Sequence, residues 1–152
     1  MRKLTTLLLS GVLLFGAVAC GGNAKTSADA PDSTKESPKA PSGEAVKDTQ
    51  NDAQSETRRR QLNADIKARE ERNNAVNGGS ADRSDNDIES EVRSKLEANI
   101  PNGQLTVKSE KGVVTVAGTV AKQDQLAKIQ TEAKNIKGVK SVQVKATVAA
   151  PK

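Results

Sequence analysis

Histidine, tryptophan and tyrosine are absent from this 152-residue chain, and its single phenylalanine, Phe15, lies in the leading apolar block. Without imidazole there is no histidine ligand for a metal and no usual general base for hydrolysis. Without aromatic rings beyond that block, nothing can stack a nucleobase. One cysteine, Cys20, excludes an intrachain disulfide. Large aliphatics are scarce through residues 21–82, so only residues 83–152 can form a core and the chain holds at most one small domain. Scattered Ser, Lys and Asp make no catalytic constellation, so a non-enzyme without cofactor or metal is expected.

The formal charge of +5 is unevenly spread. Residues 20–82 carry 10 basic and 11 acidic side chains, whereas residues 83–152 carry 12 and 8. A small, mostly lysine excess on the C-terminal part suits an anionic lipid surface or plain solubility. It is not the dense stripe of a nucleic-acid binder, and no nucleic-acid partner is expected.

The first 19 residues read as an export signal: Arg2 and Lys3, then an apolar stretch over residues 4–18 too short for a stable spanning helix. The run Ala17-Val18-Ala19-Cys20-Gly21-Gly22 resembles the lipobox of bacterial lipoproteins. That resemblance implies cleavage before Cys20 and a diacylglyceryl thioether on it. The mature protein is then held on a membrane of the bacterial envelope, facing the periplasm, without spanning it. Gly21 and Gly22 offer no acidic retention signal of the enteric type, which favours the outer over the inner membrane.

Residues 20–82 are expected to be a long disordered tether. Residues 21–51 have Pro31, Pro38 and Pro41 and only Val46 as a large aliphatic, too little to offset chain entropy. As a coil the 63 residues would span roughly 40–48 Å. A helix over residues 52–76 has i,i+4 acid–base pairs at Glu56/Arg60 and Asp65/Arg69 and a short stripe of Leu62 and Ile66. Two apolar residues favour a solvated helix over a docked one.

Residues 83–150 read as one α+β domain in the order α-β-β-α-β, a three-stranded mixed sheet with two helices on one face. Ser84 opens a helix with Ile88, Val92 and Leu96 at i, i+4, i+8, stopped by residues 99–103. Leu105 and Val107 alternate, residues 110–112 turn, and residues 113–120 form a β-branched strand with Val114, Val116, Gly118 and Val120 on one face. Leu126, Ile129, Ala133 and Ile136 mark a helix over residues 123–137, ended by Gly138, before Val142, Val144, Ala146 and Val148 alternate as a last strand.

The run Gly112-Val113-Val114-Thr115-Val116-Ala117-Gly118-Thr119-Val120, followed by a helix and Gly138-Val139-Lys140-Ser141-Val142, resembles the BON domain of bacterial osmotic-stress and nodulation proteins. Only one such run is present, although many members carry two. Gly112, Gly118 and Gly138 are read as structural: a turn, a close approach by the second helix, and a helix end. The resemblance implies a phospholipid-binding or envelope-interaction module. The expected lipid contacts are Lys108, Lys111, Lys122, Lys137, Lys140 and Lys145. The alternative is an envelope protein partner on the helix-free sheet face of Thr106, Thr115, Ala117, Thr119, Ser141, Gln143 and Thr147, or on a sheet edge. The sequence favours no oligomeric state.

Overall fold

The structure, a computed structural model, describes residues 23–44, 47, 51, 55–77 and 82–149; the leader over residues 1–19 and the expected anchor Cys20 lie outside them. The fold is α+β. Its centre is an antiparallel hairpin of β2 (Gln104–Glu110) and β3 (Val113–Val120), with Leu105 opposite Gly118 and Val107 opposite Val116. The joining residues Lys111 and Gly112 have φ of 53° and 80°. Positive φ at both positions is the type I′ pattern, whose twist matches that of the strands. A Cβ on Gly112 would also come within 2.8 Å of the Gly138 carbonyl oxygen.

Helix α2 (Asp85–Asn99) begins at Ser84, whose Oγ accepts from the Asp87 N–H at 3.2 Å. Its Ile88, Val92 and Leu96 meet Leu105, Val107, Val114, Val116 and Val120 of the hairpin. Ile129, Ala133 and Ile136 join the same cluster, so α2 and α3 (Asp124–Lys134) cover one face of the sheet. Helix α3 ends before Gly138, contrary to expectation. Past Lys134 the Ile136 and Val139 N–H groups bond three residues back, to Ala133 and Ile136, and Gly138 sits in the following loop at φ 94°.

Three further features depart from the expected domain. The last strand is split into β4 (Ser141–Val144) and β5 (Thr147–Val148), both parallel to β3 and in one register. The break lies beside Gly118, whose φ of 129° turns β3 out of regular strand geometry. A Cβ there would fall 1.9 Å from the Gln104 carbonyl oxygen, so the close approach is by the neighbouring strand's backbone and not by the helix stripe. The third difference is in strand number: Ala24–Lys25 forms β1, antiparallel to β2 at Val107 and Thr106, giving five strands among the described residues.

The free tether over residues 20–82 is therefore corrected in two stretches. Beyond β1, residues 26–37 lie as a strap against the sheet: the Thr26 N–H donates to the Leu105 carbonyl at 2.8 Å, and the Leu105 N–H returns to Thr26 Oγ1 at 2.9 Å. Ser27 Oγ bonds the Gln104 side chain, Thr106 Oγ1 donates to the Pro31 carbonyl, and Ala30 is buried. Helix α1 (Glu56–Asn77) docks on α2, with Leu62 wholly buried. Arg58 meets Glu97 at 2.7 Å and Arg69 meets Asp87 at 3.3 Å. The expected solvated helix is thus a docked one, held by charge at either end of a single leucine.

Candidate functional site

The helices leave the other face of the sheet to Gln104, Thr106, Lys108 and Glu110 of β2, Val113, Thr115, Ala117 and Thr119 of β3, and Ser141 and Gln143 of β4. Half of it is not open. Gln104, Thr106, Ala117 and Thr119 are each at most 2% exposed, on the half where the strap bonds Gln104 and Thr106. The expected protein-interaction face is therefore already occupied, at Thr106, Ala117 and Thr119, by this chain's own residues. Only Thr115, Ser141, Gln143 and Thr147 of that set keep exposure.

The other half is a groove of about 480 Å³ lined by Thr34, Lys35, Lys108, Glu110, Lys111, Val113, Thr115, Gln143 and Lys145. Lys108, Glu110, Thr115 and Gln143 come from neighbouring strands, Lys145 from the gap between β4 and β5, and Lys111 from the hairpin turn. Thr34 and Lys35 come from the strap. The Lys108 ammonium is already engaged, 3.0 Å from Glu89 on α2. Lys35, Lys111 and Lys145 are exposed and form no ion pair among the described residues, with Glu110 the one acid on the lining. Three ammonium groups, a threonine hydroxyl on each side and the Gln143 amide can together take a phosphate-sized anion. A smaller hollow of about 220 Å³ lies within the strap, where Lys25 is paired with Asp32 at 2.9 Å and little charge remains to recruit an anion.

Of the six lysines expected from sequence, Lys108, Lys111 and Lys145 meet in the groove. Lys140 lies just outside it, its N–H bonded to the Gly112 carbonyl at 2.8 Å and its side chain over that turn. Lys137 sits in the loop after α3, and Lys122 lies past the far end of β3, so neither joins the groove. Lys35 was missed because it belongs to a stretch with no hydrophobic periodicity. Its docking depends on hydrogen bonds of small polar side chains and backbone groups, which leave no such pattern in a sequence.

The turn carrying Lys111 is fixed by Asp85. One carboxylate oxygen accepts from the Gly112 N–H at 3.0 Å and Ser109 Oγ at 2.7 Å, and the other from the Lys111 N–H at 2.8 Å. The Gly112 N–H first, then the Ser109 hydroxyl and the Lys111 N–H, hold the Asp85 carboxyl below the usual aspartate range. A lowered folded value contributes stability that is complete above the unfolded value of 3.8 and is lost as pH falls through the folded one. Asp85→Asn is expected to cost about 1 kcal/mol at neutral pH, a charged hydrogen-bond set discounted for its exposure. It should also remove part of the acid limb below pH 4, read by thermal melting across pH.

Residues 84–150, under half of the chain, match the family model described as BON domain. No curated protein and no solved structure matches the chain. The family points to a role in the envelope or in osmotic stress and is not known for enzymes. Residues 23–83, which supply β1, the strap and α1, lie outside the matched stretch.

Proposed function

We infer that this chain is an envelope lipoprotein, anchored through Cys20 and without catalytic activity, whose BON domain binds anionic phospholipid and supports envelope integrity. The observation that carries the reading is the convergence of Lys35, Lys111 and Lys145, unpaired among the described residues, on one groove of the helix-free face. Each lysine near an anionic leaflet contributes roughly 1 kcal/mol, and a lipid anchor keeps the groove at high effective concentration beside its ligand. The lipobox-like run ending at Cys20 supplies the anchor, and the absence of an acidic residue after it favours the outer membrane.

Vesicle sedimentation of residues 23–152 tests the lipid contact apart from the anchor. Binding to phosphatidylglycerol vesicles should exceed binding to phosphatidylcholine and weaken as salt rises, because exposed charge pairs are screened. The triple variant Lys35→Gln, Lys111→Gln, Lys145→Gln should lose about 3 kcal/mol, on the order of a hundredfold. Equal sedimentation of parent and triple variant would remove the groove from the account. Lys122→Gln, outside the groove, should leave binding near the parent value.

A further inference from the structure

Strap and groove share one face of the sheet. The strap is fixed at Thr26, Ser27 and Pro31 to β2, and within three to four residues of Pro31 it brings Thr34 and Lys35 to the groove rim. Its course past Pro31 is set by its own contacts: the Asp32 carbonyl accepts from Asn23 Nδ2 at 2.7 Å, and the Asp32 N–H donates to Glu36 Oε2 at 3.0 Å. An undocked strap would leave the groove one wall short, with Lys111 and Lys145 as its exposed lysines on the sheet side. Part-buried hydrogen bonds at Thr26, Ser27 and Pro31 hold the strap to β2, so the arrangement is a built part of the site and not a loose cover.

We propose that the strap is a structural half of the phosphate site: the domain binds a phosphate-bearing anionic headgroup in the strapped state, and headgroup and strap stabilise one another on the sheet. This rests on the groove reading above and adds its regulation. Two sites that bind the same conformation are coupled reciprocally, so whatever frees the strap weakens headgroup binding and the headgroup protects the strap from opening. Strapping also changes the reach of the domain. Three residues lie between Cys20 and Ala24, an extended span of at most about 14 Å, against roughly 30–35 Å for residues 21–55, the stretch before the docked α1, as a coil. A strapped domain anchored at Cys20 is held beside the bilayer with its lysine groove on the face the strap crosses, whereas an unstrapped one is free to leave it.

The test uses the full chain in neutral detergent, titrated with dihexanoyl phosphatidylglycerol and separately with glycerol 3-phosphate, and followed by amide NMR. Groove amides at Thr115 and Gln143 and strap amides at Thr34 and Lys35 should shift together with one affinity, and the Thr26 amide should exchange more slowly in the complex. A response to the lipid alone assigns the headgroup within its bilayer context; a response to both assigns the phosphate itself; either supports the site. Ala30→Asp places a charge at a buried position of the strap, next to the Pro31 carbonyl that Thr106 holds, and should speed Thr26 exchange and lower affinity at least tenfold. Lys35→Gln leaves every strap bond in place and should weaken binding about fivefold. If Ala30→Asp frees the strap while affinity stays or rises, or if Lys35→Gln binds like the parent, the coupling is overturned and the groove reading stands. If neither titrant shifts the groove amides of the parent chain, the groove reading itself fails and takes the coupling with it.

Discussion

Gly118→Ala is expected to unfold much of the population, although it adds a single methyl group. The Cβ would sit 1.9 Å from the Gln104 carbonyl oxygen and 3.1 Å from the Leu105 Cα, both backbone of the paired strand, which no side-chain rotation can relieve. The backbone is also at φ 129°, where an L side chain is strained whatever the space around it. Overpacking costs about 1–3 kcal/mol and a residue held at such a φ a similar amount. A core of this size supplies about 3–5 kcal/mol in all, so the sum approaches the whole stability of the domain. Thr119→Val, the next residue, is the control. Its Oγ1 is buried without a hydrogen-bond partner, so losing the hydroxyl should leave the melting temperature unchanged or raise it. Circular-dichroism melting of both variants reads the register directly, and a Gly118→Ala domain melting with the parent would show β3 to be wrongly paired.

The same glycine shows where the sequence was legible. Alternation of Val114, Val116 and Val120 with Thr115 and Thr119 set the buried face of β3, and a glycine among valines marked a close approach. The approaching group was not visible, because a backbone carbonyl has no signature in residue type. Helical stripes at Ile88/Val92/Leu96 and Ile129/Ala133/Ile136 were plain for the opposite reason, since apolar area is what periodicity records. The docking of α1 left a fainter trace in charge: Arg58 and Arg69 are eleven residues apart, and their partners Glu97 and Asp87 are ten apart in reverse order, as two antiparallel helices require. Leu62 and Ile66 alone did not reveal it. The strap left none, because threonine, serine and backbone groups meet Gln104 and Thr106 in a stretch whose composition matches that of a disordered chain. Three of the four groove lysines, Lys108, Lys111 and Lys145, were therefore readable on the sheet and its turn, and the wall contributed by Lys35 was not.

Removing Glu91 should cost more than removing Arg83, although the two form one pair. Both side chains are 1% exposed and their closest atoms are 3.9 Å apart, with no hydrogen bond to either Glu91 oxygen. Arg83 has one bond, from Nη2 to Asn74 Oδ1 at 3.3 Å, while its Nε and Nη1 are unpartnered. Burial pushes the Glu91 carboxyl above its usual range; the Arg83 charge opposes this, Glu70 and Asp87 add to it, and Arg69 opposes it more weakly. Glu91→Ala strands a guanidinium that cannot lose its proton, and about 3–5 kcal/mol is expected for a broken buried pair. Arg83→Ala strands a carboxyl that escapes by taking a proton, so its cost should be smaller and dependent on pH. A carboxyl whose folded value is raised favours folding below its unfolded value and loses that contribution as pH rises through the folded one. The Arg83→Ala domain should therefore be nearest the parent in acid and fall away from it toward neutrality, whereas the Glu91→Ala deficit should run the other way and narrow toward neutrality, because of those two only the parent carries the raised carboxyl. The double variant Arg83→Met, Glu91→Leu removes both charges and fills their space, and should melt at or above the parent, a gain of up to about 1–4 kcal/mol. Denaturant titrations of the four proteins at pH 5 and pH 7.5 separate these outcomes. A double variant as unstable as Glu91→Ala would mean that the pair holds α2 in a way its distance and unpartnered atoms do not indicate.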